Sequence, residues 1–153
     1  MKLYCDMNIY NRCFDDQSQI RVRLETTAIE TIFDRVDAGQ FSLFWSFMLE
    51  YETHMNPSDE RKQGVRLLRE LCYDTIIEPS EEIKELAQRI VRDFNVRPRD
   101  SVHLACAEVA QCEYFITCDD RVIRLIQREK RGLKLKIKLV SPIDFVREVI
   151  ANA

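Results

Sequence analysis

Acidic residues that are far apart in this chain occupy positions where chemistry is expected in an α/β protein. Asp6 and Asp119 each follow a short apolar run, so each is expected just beyond the carboxyl end of a strand. Asp100 lies in the first turn of the helix expected before the second of these strands, where the helix dipole favours a carboxylate. In open α/β sheets, ligands bind at the carboxyl ends of the strands. The sequence therefore predicts that these carboxylates converge at one edge of a sheet.

A fourth acidic candidate is one of two glutamates in the segment Ser46-Phe-Met-Leu-Glu-Tyr-Glu. Glu50 and Glu52 are two residues apart on an expected helix, hence about 200° apart around its axis, so only one of them can face a shared site. Glu52 stacks over Met48 and Leu49, on the apolar side that is expected to face the protein, and this favours Glu52. Glu50 remains the alternative.

Carboxylates that share a pocket repel one another and raise one another's pKa, so folding disfavours the cluster unless a cation neutralises it. A site made of oxygen ligands suits Mg²⁺ or Mn²⁺ rather than zinc. The expected ligands are Asp6, Glu52, Asp100 and Asp119. His103 lies one turn beyond Asp100 on the same helix face. We expect this histidine to pack beneath the site with local hydrogen bonds rather than to act in catalysis, since a bound metal can generate the nucleophile by itself.

The scaffold for these residues is predicted from strand patterns that alternate with helical patterns. The expected strands are 3–5, 41–45, 75–77, 114–116 and 135–140. The expected helices are 20–38, 46–55, 98–112, 121–131 and 142–150, with others that begin at 58 and 80. Such alternation indicates a three-layer α/β/α architecture around a mainly parallel five-stranded sheet. The absence of a linker or repeat predicts a single domain over residues 1–153.

Capping residues and apolar spacing support these helices. Ser46, Ser58 and Ser80 stand where N-caps are expected. Gly39 suits the C-terminal end of the first long helix, in which Leu24 begins the apolar side.

Composition limits the classes of protein that the chain can represent. Its 153 residues are 46% hydrophobic and 32% charged, which is ordinary for a globular protein. The longest nearly apolar stretch, residues 41–49, is far shorter than the roughly 20 residues that cross a bilayer, and the N-terminus lacks a signal-peptide pattern. We therefore expect a cytoplasmic protein without membrane association. Its six cysteines form no C-x-x-C pair, so we expect reduced thiols, most of them buried.

The net charge of −3 argues against broad electrostatic capture of nucleic acid, yet basic residues concentrate in residues 121–138. Two compatible interpretations of this basic segment remain open. The basic residues can form a solvated helix face followed by a lysine-bearing edge strand, which resists pairing with other strands. They can also contact phosphates, and the candidate phosphate-binding arginines are Arg97, Arg99, Arg121 and Arg124.

Four segments, taken in order, resemble the motifs of PIN domains. They are Leu3-Tyr-Cys-Asp-Met-Asn-Ile-Tyr, the segment from Ser46 to Glu52, Arg99-Asp-Ser-Val-His-Leu-Ala and Phe115-Ile-Thr-Cys-Asp-Asp. The resemblance spans residues 2 to about 145 and depends on the order and spacing of the motifs rather than on any one of them.

The resemblance implies roles for individual residues. Asp6 would be the central metal ligand, and Glu52 (or Glu50), Asp100 and Asp119 would complete the acidic pocket. Two further residues would support it, since Asn8 matches a polar position beside the first aspartate and Asp120 duplicates Asp119. Met7 departs from the family, which usually has Thr or Ser there, with a hydroxyl that supports the site.

The resemblance also implies an activity and partners. PIN domains of this type are endoribonucleases that hydrolyse RNA phosphodiester bonds with Mg²⁺ or Mn²⁺. Many compact members are toxins of bacterial toxin–antitoxin pairs, held by a small antitoxin protein, and homodimers are common. The main alternative is a non-catalytic PIN-like module that binds protein or RNA, which the Met7 departure favours. A phosphoacceptor signalling domain is disfavoured because Glu78-Pro79 provides no acceptor after the strand expected at 75–77. Whether the substrate is RNA or DNA stays open.

Overall fold

The computed structural model describes residues 1–128 and 132–153. In these residues, four short strands form one sheet. They are β1 (Lys2–Cys5), β2 (Ser42–Phe44), β3 (Tyr114–Ile116) and β4 (Lys138–Val140). All pair in parallel, in the order β2-β1-β3-β4. The β1 side chains from Leu3 to Cys5 have no exposed surface. Because successive side chains of a strand point to opposite faces, both faces of the sheet are covered, as the sequence predicted.

The helices that surround the sheet follow the predicted order, with one helix, Met7–Asn11, that the sequence analysis did not predict. They are α1 (Met7–Asn11), α2 (Ile20–Asp37), α3 (Phe47–His54), α4 (Asp59–Arg69), α5 (Glu81–Phe94), α6 (Pro98–Val109), α7 (Asp120–Arg128) and α8 (Pro142–Phe145). A 3-10 turn, Arg12–Phe14, follows α1, and a π-helical turn, Val146–Ile150, completes the last predicted helix. None of the helices in this described part of the chain has the length and apolar character needed to cross a membrane.

The predicted capping residues are confirmed. The side chains of Ser46, Ser58 and Ser80 each accept a hydrogen bond from a backbone N–H in the first turn of α3, α4 and α5. Gly39 lies beyond the end of α2 with a φ of 76°, a left-handed conformation that a glycine adopts without strain. Its N–H donates to Val36 and that of Gln40 donates to Arg35, both at 2.9 Å, which forms a Schellman cap.

The prediction that Leu24 lies on the apolar side of α2 is wrong, since 54% of Leu24 is exposed. The buried stripe instead passes through Val22, Glu25 and Ile29. Glu25 is 2% exposed and is neutralised by ion pairs with Arg12 at 3.4 Å and with Arg21 at 3.3 Å. Because Glu25 is charged, the sequence pattern did not indicate that it lies on the buried face of α2.

The predicted five-stranded sheet is also wrong, because residues 75–77 form no strand. Two isolated parallel bridges, Leu43 with Cys72 and Ser46 with Ile77, attach this segment to the outer side of β2. The segment uses more residues between its two bridges than the β2 side does, so its intervening residues bulge away and no continuous ladder forms.

Other predicted elements differ at their ends, and among them the helix expected at 98–112 ends at Val109. The strand expected at 135–140 begins at Lys138, because the N–H groups of Lys136 and Ile137 donate to the carboxylate of Glu108 at 2.8 and 2.9 Å. The helix expected at 121–131 is described from Asp120 to Arg128, and residues 129–131 lie outside the described residues. The expectation of free thiols is confirmed, and Cys13 is the single exposed one among six free cysteines.

Gly64 allows α4 to pack against the ring of Phe14. A Cβ built at Gly64 would lie 2.0 Å from Cζ of that ring, closer than any real contact. Arg61, also on α4, adds hydrogen bonds to this contact. It donates to the carbonyl of Phe14 and to the carboxylate of Asp15, both at 2.9 Å. The absence of a side chain at Gly64 therefore sets the distance between α4 and the turn that follows α1.

We expect Gly64→Ala to destabilise the protein even though alanine favours helices by about 1 kcal/mol. Overpacking against Phe14 should cost about 1–3 kcal/mol and lower the Tm by roughly 3–10 °C, measured by circular dichroism. Gln63→Ala, at an exposed position of the same helix, is the control and should change the Tm little. A Tm that rises in Gly64→Ala would contradict this packing.

Candidate active site

A cleft of about 590 Å³ opens at the carboxyl edge of the sheet. The four carboxylates predicted as ligands all line it, and they are Asp6, Glu52, Asp100 and Asp119. A second groove of about 650 Å³, between α5 and the N-terminal ends of α3 and α6, is mainly apolar and contains none of these four. The sheet and its helices therefore bring together residues that are more than a hundred positions apart.

Asp6 is the most buried of the four, with 7% of its surface exposed. Its Oδ1 accepts from the N–H of Met7 at 2.8 Å, and its Oδ2 accepts from the Thr117 hydroxyl at 2.8 Å. Burial raises the pKa of Asp6, while the nearby His103 and these two hydrogen bonds oppose the rise. The carboxylate is held in a fixed orientation by groups from three parts of the chain.

The supporting hydroxyl comes from a residue that the sequence analysis missed. Met7 occupies the position where the resemblance implies a hydroxyl, but Thr117, which is entirely buried just after β3, donates to Asp6 instead. The same oxygen of Thr117 accepts from the N–H of Asp119 at 3.1 Å. Thr117 stands beside Asp119 in the motif Phe-Ile-Thr-Cys-Asp-Asp, which was the available signal.

Asn8 connects Asp6, which follows β1, to the segment that follows β3. Its amide nitrogen donates to Asp6 at 3.2 Å and to the hydroxyl of Thr117 at 3.1 Å. Its oxygen accepts from the N–H of Cys118 at 3.0 Å. Burial raises the pKa of the Cys118 thiol to about 12, so this thiol stays protonated and is not a nucleophile.

The two glutamates of α3 point to different surroundings. Glu52 lines the cleft and hydrogen-bonds Nε2 of His103. Glu50 lies elsewhere, where its carboxylate accepts from Nε1 of Trp45 at 3.0 Å and from Arg66 at 3.0 Å. These bonds lower the pKa of Glu50 although partial burial acts against them. Of the two alternatives, Glu52 is therefore the one near the other three acids.

His103 lies beneath the cleft with 1% of its surface exposed. Its Nδ1 is 2.7 Å from the hydroxyl of Tyr4, and its Nε2 contacts Glu52. Burial lowers the pKa of the imidazole, but the bond to Glu52 and the charges of Asp6 and Asp100 outweigh burial, and the net pKa is raised. The histidine is packed and hydrogen-bonded as the sequence predicted.

Asp100 differs from the other three carboxylates in having no hydrogen-bond donor within the described residues. It lies in the first turn of α6 and is half-buried. Burial raises the pKa of Asp100, and the charges of Asp6 and Asp119 raise it further. The negative charges of Asp6 and Asp119 therefore repel this carboxylate, and no hydrogen bond within the described residues fixes its position.

The adjacent aspartates at the start of α7, Asp119 and Asp120, lie in different surroundings. Asp119 lines the cleft, and its Oδ1 accepts from the N–H groups of Arg121 at 3.0 Å and Val122 at 3.3 Å. Asp120 lies outside the cleft and pairs with Arg21 at 2.9 Å on the surface.

The four candidate phosphate-binding arginines are all exposed, but they are not equivalent. Arg99 lines the cleft and lies 3.8 Å from Glu52. The charge of Arg97 acts on Asp100. Arg121 and Arg124, on α7, do not line the cleft.

The exposed rim of the cleft also carries large side chains that the sequence analysis did not single out. Tyr51, on α3, is 51% exposed, and Met55, which caps the end of α3 four residues later, is 60% exposed. Two other large aromatic residues, Trp45 and Tyr73, do not line the cleft. Trp45 is completely buried, and Tyr73 stacks on Phe44.

The donor set fits a hard divalent cation in its chemistry, because Mg²⁺ and Mn²⁺ prefer carboxylate oxygens. Burial raises the pKa of Asp100, and the neighbouring charges of Asp6 and Asp119 raise it further, which a cation would offset. The side chains are not arranged as a finished site, however. Within residues 1–128 and 132–153, no three Asp, Glu, His or Cys side chains are grouped so that they could hold a metal ion. Binding would require side-chain rotation, for which Asp100 is free.

The comparisons with known proteins agree with this fold. The sequence profile of the PIN domain matches residues 26–128, more than half of the 153-residue chain. The crystal structure of FitAcB from Neisseria gonorrhoeae is similar with a TM-score of 0.61 and 12% identity, over 92% of this chain and 97% of that chain. No curated protein matches the sequence.

Fold and site together define an α/β protein with a carboxylate-lined cleft at the carboxyl edge of a parallel sheet. The chain belongs to the PIN domain family. The family resemblance drawn from the sequence motifs is thereby confirmed.

We expect Asp100→Asn to stabilise the metal-free protein at neutral pH. A folded-state pKa above the unfolded value means that ionisation costs stability as the pH rises, so removing the charge should raise the Tm by about 1–2 °C. The gain should vanish below the pKa of an unfolded aspartate, about 4, where the carboxyl is protonated in both states. Thermal melts in chelator at both pH values provide the measurement, and a lower Tm at neutral pH would show that Asp100 is not repelled.

Proposed function

We propose that this protein is an endoribonuclease that hydrolyses RNA phosphodiester bonds with Mg²⁺ or Mn²⁺ bound in the acidic cleft. The observation that supports this most strongly is the presence of four carboxylates in one cleft, with the pKa of Asp100 raised in part by Asp6 and Asp119. Membership of a family of nucleases supports the same conclusion. Asp6, Glu52, Asp100 and Asp119 would hold the ion.

A bound cation would supply a water of lowered pKa and would offset the negative charge that develops on the phosphate. The residues of the chain prepare the cleft for this. Thr117, Asn8 and the Met7 N–H fix the orientation of Asp6. Asp100, which accepts no hydrogen bond within the described residues, can turn toward the ion without breaking one. A carboxylate of the cleft can accept the proton of the attacking water.

The substrate would be held by groups on the rim. Arg99 projects from the cleft wall with 63% of its side chain exposed, which suits contact with a flanking phosphate. Tyr51 presents an exposed ring beside the acids, which suits stacking on an unpaired base. Arg97, Arg121 and Arg124 are more distant candidates for phosphate contact.

The partners that we propose follow from the family. A small antitoxin protein would bind this chain if it is the toxin of a toxin–antitoxin pair, and two copies of the chain would form a homodimer. Co-purification with the product of a neighbouring short reading frame tests the first proposal. Sedimentation of the isolated chain tests the second.

The nuclease proposal is tested with single-stranded RNA in Mg²⁺, Mn²⁺ or chelator. We expect cleavage with either ion and none in chelator. Asp119→Asn should lower the rate at least about 100-fold, since loss of an outer-shell partner alone typically costs 10- to 100-fold. Asparagine can still cap α7, so the fold should survive.

Asp120→Asn is the matched control for this substitution. The two aspartates are adjacent, but Asp120 pairs with Arg21 outside the cleft, so cleavage by this variant should stay near the wild-type rate. Equal activity of both variants would exclude Asp119 from the site. No cleavage by the wild-type protein, together with RNA binding that needs no metal, would favour the alternative of a non-catalytic binding module.

Tyr51→Ala should weaken the binding of single-stranded RNA by roughly 5- to 100-fold, because stacking on one base contributes about 1–3 kcal/mol. Fluorescence anisotropy in chelator measures binding without cleavage. A strand that lacks the stacked base should bind the wild type and the variant equally. Tyr73→Ala, which removes an exposed tyrosine far from the acids, is the control.

A further inference from the structure

A chain of buried hydrogen bonds runs from the interior of the protein to the acidic cleft. The hydroxyl of Ser46 lies 2.6 Å from the hydroxyl of Tyr4, which lies 2.7 Å from Nδ1 of His103. Nε2 of His103 bonds to the carboxylate of Glu52. Ser46 and Tyr4 have no exposed surface and His103 has 1%, so these three side chains are shielded from bulk solvent.

The chemistry of the donors and acceptors limits how the protons can be placed along these hydrogen bonds. A carboxylate can only accept, so Nε2 of His103 carries a proton and donates to Glu52. When the imidazole is protonated, as its raised pKa favours, Nδ1 donates to the Tyr4 oxygen, and the same two atoms remain hydrogen-bonded. When the imidazole is neutral, Nδ1 accepts from the Tyr4 hydroxyl. The Tyr4 oxygen in turn accepts from the Ser46 hydroxyl, whose oxygen also accepts from the N–H of Leu49 at 3.2 Å. Every polar atom of the chain is satisfied in this arrangement.

The Tyr4 hydroxyl is not needed to fill the core. The ring of Tyr4 stacks on Phe115 with centroids 5.4 Å apart and meets the ring of His103 edge to face at 5.8 Å. A phenylalanine ring could make both contacts. A buried hydroxyl costs free energy unless it is hydrogen-bonded, and both partners of this one, Ser46 and His103, lie on the path to the cleft.

We propose that Tyr4 is a positioning residue for the acidic cleft. Its hydroxyl anchors Nδ1 of His103, and the anchored ring holds the carboxylate of Glu52 by its Nε2–H, facing the other acids. The inference rests on the proposed function in so far as Glu52 is a metal ligand there. The hydrogen-bond chain itself exists without any ion.

The test compares Tyr4→Phe with Tyr10→Phe. Tyr10 is an equally buried tyrosine, but its hydroxyl contacts the thiol of Cys72 at 3.6 Å and no residue that lines the cleft. The first measurement is the nitrogen NMR spectrum of the two histidines in metal-free protein. We expect the Nδ1 signal of His103 to shift in Tyr4→Phe, through loss of its hydrogen bond, and to stay unchanged in Tyr10→Phe.

The second measurement is calorimetric titration with Mn²⁺ alone. Tyr4→Phe should weaken binding by about tenfold, the lower end of the effect of outer-shell partners, while Tyr10→Phe should bind as the wild type does. An unchanged His103 spectrum in Tyr4→Phe, or equal Mn²⁺ affinity of the two variants, would overturn the proposal.

The two measurements separate this inference from the nuclease proposal. If the wild type binds no Mn²⁺, the proposed function fails, and the spectrum alone decides whether Tyr4 anchors His103. If Tyr4→Phe does not fold, the wild-type spectrum decides instead. A hydrogen bond between Nδ1 and the Tyr4 hydroxyl supports the inference, and an Nδ1 without that bond overturns it.

Discussion

The hydrogen bonds to the buried carboxylate of Asp6 are the interaction on which the site depends. Pairing of Cys5 with Ile116 brings the ends of β1 and β3 to the same level, so Asp6 and Thr117 leave the sheet side by side. The N–H of Asp6 donates to the carbonyl of Ile116, and its side chain accepts from Thr117. Burial raises the pKa of Asp6, and the hydrogen bond from Thr117 opposes part of the rise. The register of two strands thus helps to keep a charge inside the protein.

The sequence predicted that Asp6 and Asp119 meet, because each lies just beyond the end of a strand in the same parallel sheet. Parallel strands share one carboxyl edge, so a residue that follows a strand is located once the strand is recognised. The position of Thr117 after β3 was available in the same way, but the roles of Thr117 and Tyr4 come from hydrogen bonds between distant parts of the chain, which strand position does not reveal. The fifth strand was mispredicted because residues 75–77 have a strand-like composition, whereas pairing depends on how many residues separate the bridges. The burial of Leu24 was mispredicted for a different reason. Glu25 takes the buried position on α2 because ion pairs with Arg12 and Arg21 neutralise its charge.

The short helix α3 separates two carboxylates that are alike in sequence. Glu50 is held by Arg66 and by the indole of Trp45, and Arg69 lies over the same indole at 5.6 Å from its centroid. This arrangement ties α3 to α4 on the side away from the cleft. Glu52 faces the cleft acids, with His103 as its partner. One glutamate therefore stabilises the fold, and the other remains available for the chemistry.

The interrupted pairing beside β2 has a consequence for how the protein behaves at high concentration. An uncovered edge strand exposes backbone groups that can recruit strands from other molecules. Residues 72–77 lie along this edge, and Tyr73 and Ile77 donate to the carbonyls of Leu43 and Trp45 at 2.9 and 2.8 Å. Because the covering segment is irregular, it satisfies β2 without becoming a template itself. The irregular pairing that prevents residues 75–77 from forming a strand thus occupies the β2 edge of the sheet without extending it.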